Sequence, residues 1–165
     1  MLLVVNAGSS SLKLALFDDA LRQVAQARTE RIGAEGHLPA LRAGLAEMQI
    51  TPADLTAAAH RVVHGGAGLT AACRITPTVE AQIYACCTLA PLHNPANLTG
   101  IRAIRALAPD LPQYASFDTA FHASNPAVAT TYALPLAERE QGLRRYGFHG
   151  LSYAAIVRKV KEIAD

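Results

Sequence analysis

Residues 2–17 read LLVVNAGSSSLKLALF, and the start of the architecture follows from this segment. Its first four residues are apolar, and its last six alternate leucine with other residues. Both patterns are typical of β-strands. The residues between them, 6–11, are rich in turn formers and hydroxyl side chains, as in a loop between strands. Residues 24–32 are interpreted as a third strand, although residues 22–31 also fit a helix. We therefore predict an antiparallel meander of three strands.

Helix and strand patterns alternate along the rest of the chain. Apolar residues at spacings of three and four, and prolines at first helical positions after Thr51, Thr76 and Asn94, indicate helices. The predicted helices cover residues 38–48, 76–87, 94–107 and 151–163, with a further helix start at Thr51, and the predicted later strands cover residues 61–63, 114–117 and 144–148. This alternation predicts an α/β fold, a mixed sheet with flanking helices, in one domain over residues 1–165.

The composition is that of a globular protein and argues against several classes. Of the 165 residues, 51% are hydrophobic and 17% are charged, and the net charge is +2. With no run of lysine or arginine, this charge argues against nucleic-acid binding. No stretch approaches the roughly 18 apolar residues of a membrane-spanning helix, and the amino terminus lacks the basic region of a signal peptide. We expect no membrane partner.

The three cysteines are Cys73, Cys86 and Cys87, an odd number without a CxxC motif. This pattern argues against a disulfide framework or a zinc site. It is typical of reduced, mostly buried thiols, so we expect a cytoplasmic protein.

The loop after the first strand carries a pattern suited to binding an anion. Gly8 allows a tight turn, and the hydroxyls of Ser9 and Ser11, with neighbouring backbone amides, are donors for phosphate oxygens. Lys13 adds a positive charge, and Asn6 offers a carbonyl oxygen near which hydrated Mg²⁺ could sit. An ordinary serine-rich hairpin turn explains the same residues, and the local sequence leaves both interpretations open.

The segment HRVVHGG, residues 60–66, combines a buried strand with Arg61, a residue suited to bidentate recognition of carboxylate or phosphate. His60 and His64 are four residues apart, which on a strand separates them by about 13 Å, too far for a shared metal. The segment 66–71 matches a dinucleotide-binding glycine pattern only formally, and we treat that match as chance.

Three later loops hold further candidates at predicted strand ends or helix starts. His93 lies between two prolines at a helix start, where a capping loop is an equal interpretation. Asp118 ends a strand, where open α/β sheets bind ligands. His149 stands between two glycines, which permit close approach of a ligand. A lysine, arginines, an aspartate and histidines at such positions suit phosphoryl transfer, which depends on positioning and charge neutralisation.

Taken together, five motifs resemble the acetate kinase family, which comprises acetate and propionate kinases. They occur in the family's order: NAGSSSLKLALFD (6–18), HRVVHGG (60–66), LAPLHNPANL (89–98), FDTAFH (117–122) and RRYGFHG (144–150). The resemblance implies the actin-like, ribonuclease H-like fold of the sugar kinase–actin superfamily, in which two related lobes enclose a cleft. It also implies transfer of the ATP γ-phosphoryl group to acetate, giving acetyl phosphate and ADP, with Mg²⁺.

The resemblance also implies a role for each matching residue. Arg61, Asp118 and His149 are implied as catalytic; Arg61, Val63, Leu92, His93 and Phe148 as substrate-binding; Ser9, Ser11 and Lys13 as phosphate-binding; and Asn6 as the residue that helps place Mg²⁺.

This sequence departs from the family pattern at three positions and in length. Ala67 stands where the family usually has glutamate, and Leu151 and Tyr153 replace threonine and histidine. Family members continue into a second lobe that binds adenosine and supplies another arginine, a pocket proline and a glutamate for Mg²⁺. We therefore expect an amino-terminal lobe that is inactive alone, exposes an apolar face, and belongs to an enzyme that forms homodimers.

Three alternatives remain open at this point. In the first alternative, the chain is a lobe of a propionate kinase instead of an acetate kinase. In the second, it is a non-catalytic half-domain that binds small anions or a partner. An unrelated actin-like ATPase or sugar kinase would need an adenosine site, and this sequence shows none. Activity restored by the second lobe separates the catalytic from the non-catalytic interpretation.

Overall fold

The computed structural model describes residues 1–32 and 36–164, which form a mixed sheet flanked by helices. The strands are β1 (Leu2–Ala7), β2 (Ser11–Phe17), β3 (Gln23–Glu30), β4 (Ala57–Val62), β5 (Cys73–Arg74) and β6 (Gln113–Phe117). The helices of these ranges are α1 (His37–Glu47), α2 (Pro77–Ala85), α3 (Asn94–Leu107), α4 (Ala127–Thr130), α5 (Leu136–Arg139) and α6 (Gly150–Ala164).

The strands lie in the order β3-β2-β1-β4-β6-β5. β1, β2 and β3 pair antiparallel, which confirms the predicted meander and rules out a helix in place of β3. β4 lies parallel to β1, β6 lies parallel to β4, and the short β5 pairs antiparallel with β6 at the edge. The predicted α/β fold with a mixed sheet is confirmed, and the parallel strands β1, β4 and β6 bring their carboxyl ends to one side.

The core lies between one face of the sheet and the helices α1 and α3. Alternate side chains of β1 and β2 are buried on this face because successive side chains of a strand point to opposite sides. α3 presents an apolar stripe to the sheet. The buried apolar side chains on these four elements include Leu3, Val5, Ala7, Leu12, Leu14, Leu16, Leu41, Leu45, Leu98, Ile101 and Ile104.

The predicted helices over residues 38–48, 76–87, 94–107 and 151–163 are found, whereas the helix start predicted at Thr51 gives only a short turn. α2 begins at Pro77, and Oγ1 of Thr76 accepts a hydrogen bond from the Val79 amide at 3.2 Å, the cap that the sequence predicts. The helix start at Thr51 leads only to a 3₁₀ turn over Pro52–Asp54. The turn ends because the Thr56 amide donates to the Met1 carbonyl oxygen at 2.8 Å and the chain then enters β4.

The predicted strand over residues 144–148 is wrong. These residues form no regular element in the structure. The position beside β6 at the edge of the sheet is taken instead by the two-residue strand β5, which the sequence did not reveal. The segment is held instead by its side chains and by a hydrogen bond from the Arg145 amide to the Thr130 carbonyl oxygen at 2.8 Å.

Helix α6 exposes much of its apolar surface. Ile156 is 55% exposed, Val160 57% and Ile163 74%. Isolated apolar residues are common on protein surfaces, but a row along one helix is typical of a face that contacts other protein. None of the helices in the described ranges is long and apolar enough to cross a membrane.

His60 is buried in the middle of β4 and keeps its ring neutral. Its Nε2 lies 2.8 Å from Oε1 of Gln113, which fixes the tautomer with the proton on Nε2 because an amide oxygen only accepts. Burial lowers the pKa of His60 to about 4, against an ordinary value of 6.5, although the bond to Gln113 acts in the opposite direction. The charged form of this ring is therefore disfavoured in the folded protein.

The His60 ring predicts a loss of stability in mild acid. Between pH 6.5 and 4 the unfolded chain takes up a proton that the folded chain does not, so the free energy of unfolding falls as the pH falls through this window. Between pH 7.5 and 5 we expect His60 to account for a loss of about 2 kcal/mol. Urea unfolding of the unmodified chain and of His60→Gln at the two pH values measures the difference. The exposed His93→Gln serves as the control and should keep the full pH dependence. Equal losses in all three proteins would contradict this assignment.

Candidate active site

An ion pair joins the carboxyl ends of β4 and β6. Arg61, near the end of β4, donates from Nε to both carboxylate oxygens of Asp118 at 3.1 and 3.2 Å, and from Nη2 to Oδ2 at 2.6 Å. The Asp118 side chain is 3% exposed and that of Arg61 is 37% exposed. A buried carboxylate requires such a partner. The paired hydrogen bonds also fix the orientation of the guanidinium, including its remaining N–H groups.

The same guanidinium reaches the neighbouring strand. Its Nη1 donates to Oδ1 of Asn6, on β1, at 3.3 Å. Asn6 pairs directly with Lys13 across the β1–β2 hairpin, so both side chains lie on one face of the sheet. A polar row thus crosses four strands, in the order Asp118, Arg61, Asn6, Lys13.

A cavity of about 370 Å³ opens beside this row. Loops and strand ends from four distant parts of the sequence form its walls. All seven residues that the resemblance implies as catalytic or substrate-binding line it, namely Arg61, Val63, Leu92, His93, Asp118, Phe148 and His149. The structure therefore brings the predicted carboxylate site together in one place.

Two glycines hold the segment that carries His149. A Cβ on Gly147 would lie 2.3 Å from the ring of His122, and one on Gly150 would lie 2.3 Å from the Asp118 carbonyl oxygen. The Gly150 amide donates to that same oxygen at 2.8 Å, and His149 has a φ of 57°, in the left-handed region. A non-glycine residue keeps this conformation only when its surroundings impose it. His149 is therefore held in the cavity by tight backbone contacts on both sides.

The predicted phosphate-binding residues lie outside the cavity. Lys13 is exposed and adjoins the cavity through Asn6, while Ser9 and Ser11 lie further along, in and after the hairpin turn. The turn is closed by a hydrogen bond from the Gly8 amide to the Ser11 carbonyl oxygen at 2.8 Å. None of these three residues lines the cavity wall.

Two asparagines at the start of α3, which sequence reasoning missed, fix the loops of the site. Asn97 accepts from the Val63 amide at 3.0 Å and donates to the Ala7 carbonyl oxygen at 2.8 Å. Asn94 accepts from the His64 amide at 3.0 Å and donates to the His64 carbonyl oxygen at 2.9 Å. Both are nearly fully buried. Their signal in the sequence is a pair of asparagines three apart on the apolar side of an amphipathic helix.

His37, also missed, braces the hairpin from the other side. It begins α1, is 6% exposed, and its Nε2 lies 2.8 Å from the Gly8 carbonyl oxygen. Because a carbonyl oxygen only accepts, the ring nitrogen donates. The hairpin turn is therefore held to α1 through Gly8 and to α3 through Ala7.

His64 links the cavity to the segment that precedes His149. Its Nδ1 accepts from the Gly66 amide at 2.9 Å, and burial lowers its pKa, so the ring is held neutral. The ring centroid lies 4.5 Å from that of Tyr146 and 5.6 Å from that of Phe148, both edge-on. Such edge contacts are favourable between aromatic rings and fix the position of Phe148 in the cavity wall.

The three departures from the family pattern lie in α6 and in the loop after β4. Tyr153 stacks on Phe121, with ring centroids 6.0 Å apart, and contacts His122 edge-on. Leu151 is half-buried at the start of α6, and Ala67 is exposed in the loop after β4. None of the three lines the 370 Å³ cavity.

The oxygen atoms of Asn6 and Asp118 fit the donors that Mg²⁺ prefers. Mg²⁺ is commonly bound by one or two carboxylates together with substrate phosphates and waters. In residues 1–32 and 36–164 no cluster of three or more His, Cys, Asp or Glu side chains is arranged to hold a metal by itself. Because these oxygens already accept hydrogen bonds from Arg61, the residues present fit a magnesium ion only as partners in a set that phosphate groups and waters complete.

Comparisons of the sequence and of the structure with known proteins point to the same family. The sequence model of the Acetokinase family matches residues 29–165. The acetate kinase of Rhodopseudomonas palustris is 42% identical, over 99% of this chain and 48% of its own length. The crystal structure of the Porphyromonas gingivalis acetate kinase superposes with a TM-score of 0.90 at 35% identity, and that of a Francisella tularensis propionate kinase with 0.86 at 32%. Each structure is matched over 99% of this chain and 48% of its own length.

These matches confirm the actin-like fold class predicted from the sequence. The chain spans about half the length of the curated relatives it matches.

Removing the amide of Asn97 should destabilise the protein strongly. Asn97→Leu keeps a similar volume but leaves the Val63 amide and the Ala7 carbonyl oxygen without their partner, and each unsatisfied buried group costs about 1–3 kcal/mol. We expect the free energy of unfolding to fall by about 2–5 kcal/mol in urea titration. The exposed Asn125→Leu is the matched control and should change stability by less than about 0.5 kcal/mol. A variant at Asn97 as stable as the control would refute the bracing role.

A methyl group at Gly150 should displace the segment that carries His149. Gly150→Ala places a Cβ 2.3 Å from the Asp118 carbonyl oxygen, so the backbone must move, at a typical cost of about 1–3 kcal/mol. Gly68→Ala is the control, since its Cβ would have no neighbour closer than 3.9 Å and should be neutral or slightly stabilising. Chemical denaturation of both variants checks the difference, and similar stabilities would contradict the tight contact.

Proposed function

The chain belongs to the acetokinase family, and from this we propose that it is the carboxylate-binding lobe of an enzyme that transfers the γ-phosphoryl group of ATP to acetate. The products are acetyl phosphate and ADP. The observation that carries this proposal is the single cavity of about 370 Å³ in which a cation, a buried carboxylate, two histidines and an apolar wall meet.

The cavity supplies complementary surfaces for a short carboxylate. Asp118 binds the Nε–Nη2 edge of Arg61 and so sets the orientation of the guanidinium, and the remaining N–H groups at its Nη1–Nη2 end are available to donate to carboxylate oxygens. Val63, Leu92 and Phe148 offer an apolar wall for the methyl group. In this proposal the acid lies with its oxygens toward Arg61 and its methyl toward that wall.

The polar row supplies charge where phosphoryl transfer needs it. The transferred group carries charge on its equatorial oxygens, and catalysis consists mainly of positioning and electrostatic stabilisation. Arg61 and His149 line the cavity, and Lys13 lies two strands away from Arg61, on β2. We propose that Arg61 and His149 donate to the transferring group, and that Lys13, Ser9 and Ser11 hold the phosphates of the nucleotide.

Asp118 and Asn6 act on Arg61 in this proposal by holding its guanidinium in one orientation. A fixed donor costs little reorganisation when charge develops, which is the source of its catalytic effect. Mg²⁺, with Asn6 and Asp118 among its partners, supplies neutralisation of phosphate charge when bound.

The activity belongs to a longer protein in this proposal, because the chain spans about half the length of its relatives. We propose that residues 1–165 form the amino-terminal lobe, that a second lobe provides the adenosine site, and that the chain alone does not turn over. The homodimer expected for the longer enzyme and its cytoplasmic location, where ATP is abundant, are parts of the same proposal.

Propionate is the nearest alternative substrate, and the similarity to a propionate kinase structure favours keeping it. The two acids differ by one methylene group, which an apolar pocket discriminates by only about 1–3 kcal/mol. A non-catalytic half-domain that binds small anions or a partner is the second alternative, and the assay below separates it from the kinase.

The proposal predicts activity only when the second half is supplied. Acyl phosphate is trapped with hydroxylamine in the presence of ATP, Mg²⁺ and either acetate or propionate. The chain is assayed alone and then mixed with the carboxyl-terminal half of the Rhodopseudomonas palustris acetate kinase. We expect no product from the chain alone and product on mixing. Arg61→Lys keeps the charge but loses the bidentate fork, so it should lower the rate by about 100-fold or more.

Arg22→Lys is the matched control, because Arg22 lies at the surface, where it pairs with Asp18, and should leave the rate unchanged. Product from the chain alone would contradict the proposed inactivity. Absence of product on mixing, with acetate binding to the chain retained in nuclear magnetic resonance titration, would favour the non-catalytic half-domain.

A further inference from the structure

A second, smaller cavity of about 110 Å³ lies next to the site described above. The segment that supplies Phe148 and His149 to the first cavity supplies its preceding residues, Arg144 to Gly147, to this one. The loop after β4, together with Thr119, His122 and Ala123, completes the wall. The two cavities therefore share one stretch of backbone but have separate linings.

The lining of the small cavity is cationic. Arg144 and Arg145 both contribute to it, and none of its lining residues is acidic. The guanidinium of Arg144 lies 5.4 Å from the ring centroid of Tyr146, and that of Arg145 lies 5.6 Å from the ring centroid of Tyr132. Stacking on a ring face uses the plane of a guanidinium and leaves its N–H edge available to an anion.

Neither arginine has a carboxylate partner among residues 1–32 and 36–164. The ion pairs found in these ranges involve other cations, and neither guanidinium donates a hydrogen bond to a group of the described chain. Both arginines are exposed, and a bound anion would give their guanidiniums a charged hydrogen-bond partner.

Hydroxyl groups add neutral donors to the same cavity. Oγ1 of Thr119 accepts a hydrogen bond from the Gly65 amide at 3.1 Å, so its own proton is free to be donated elsewhere. Thr70 contributes a second hydroxyl to the lining. Two arginines and two hydroxyls form the donor set expected around an oxyanion.

We propose that this cavity is a second anion site, distinct from the carboxylate site, that binds a small free oxyanion such as inorganic phosphate. Its volume is a few times the roughly 30 Å³ that one water molecule occupies in the liquid, so it accommodates a group of a few heavy atoms but not a nucleoside.

Occupation of this site would act on the neighbouring cavity through aromatic contacts. Arg144 stacks on Tyr146, and the rings of Tyr146 and Phe148 both pack edge-on against His64. An anion that holds Arg144 thereby holds the backbone that carries Phe148 and His149. A bound anion would thus add one more contact to those that already hold this segment.

Ala67 provides a sharp test because it is exposed and lines the small cavity. Ala67→Glu introduces a carboxylate that competes with an anion for Arg144 and Arg145. Ala53→Glu makes the same charge change at an exposed position in the 3₁₀ turn before β4, at the opposite ends of the parallel strands. Arg144→Gln with Arg145→Gln removes the cations, and Lys13→Met removes the cation of the hairpin.

Inorganic phosphate is titrated into each protein in the absence of ATP, Mg²⁺ and carboxylate, and binding is followed by calorimetry and by the amide resonances of Gly66 and Gly147. We expect saturable binding by the unmodified chain, retained in Ala53→Glu and Lys13→Met. Ala67→Glu and the double arginine variant should bind at least about tenfold more weakly, with unchanged circular dichroism.

Phosphate binding that survives unchanged in Ala67→Glu and in the double arginine variant would overturn the proposal, as would the absence of saturable binding. Tighter binding of ADP than of phosphate, with the same resonances shifted, would contradict a site for a free anion. Because no catalytic turnover is measured, the outcome is independent of the proposed kinase activity.

Discussion

The nearly buried carboxylate of Asp118 is the constraint on which the site depends. A charge taken out of water needs a partner with good hydrogen-bond geometry, and here only the fork of Arg61 provides it among the described residues. This pair forms only when β4 and β6 lie side by side and parallel, since it joins residues 57 positions apart in the chain. The sheet order therefore determines the chemistry of the site. Asn6 joins the pair because β1 is the other neighbour of β4.

The loops that follow the strands are held by side chains and not by further sheet pairing. A strand that ends in a loop leaves backbone amides and carbonyls without ladder partners, and these must be satisfied if they are buried. Asn94 and Asn97 do this for His64, Val63 and Ala7, and no buried side-chain nitrogen or oxygen of the described residues lacks a partner. The beginning of α3 is thus the scaffold of both the hairpin and the HGG loop.

The segment from Arg144 to Gly150 connects two environments. Its first residues face a small cationic cavity, and its last face the larger cavity with Arg61. Close contacts of Gly147 with His122 and of Gly150 with Asp118 fix it at two points, which leaves little freedom for His149 between them.

The sequence by itself determined the meander, the main helices, the α/β class and the identity of the motif residues around the cavity. The first three follow from periodicity and from residues a few positions apart, which act through local backbone preferences, whereas the motif residues were identified through the family resemblance. Only the tertiary structure decided that residues 144–150 form no strand, that Cys73 and Arg74 take the edge of β6, and that Asn97 reaches Ala7 across 90 residues. It also decided that Lys13 does not line the cavity wall. Contacts of this range depend on which strands pair and in what register, and a local pattern of residues carries no record of its distant partner.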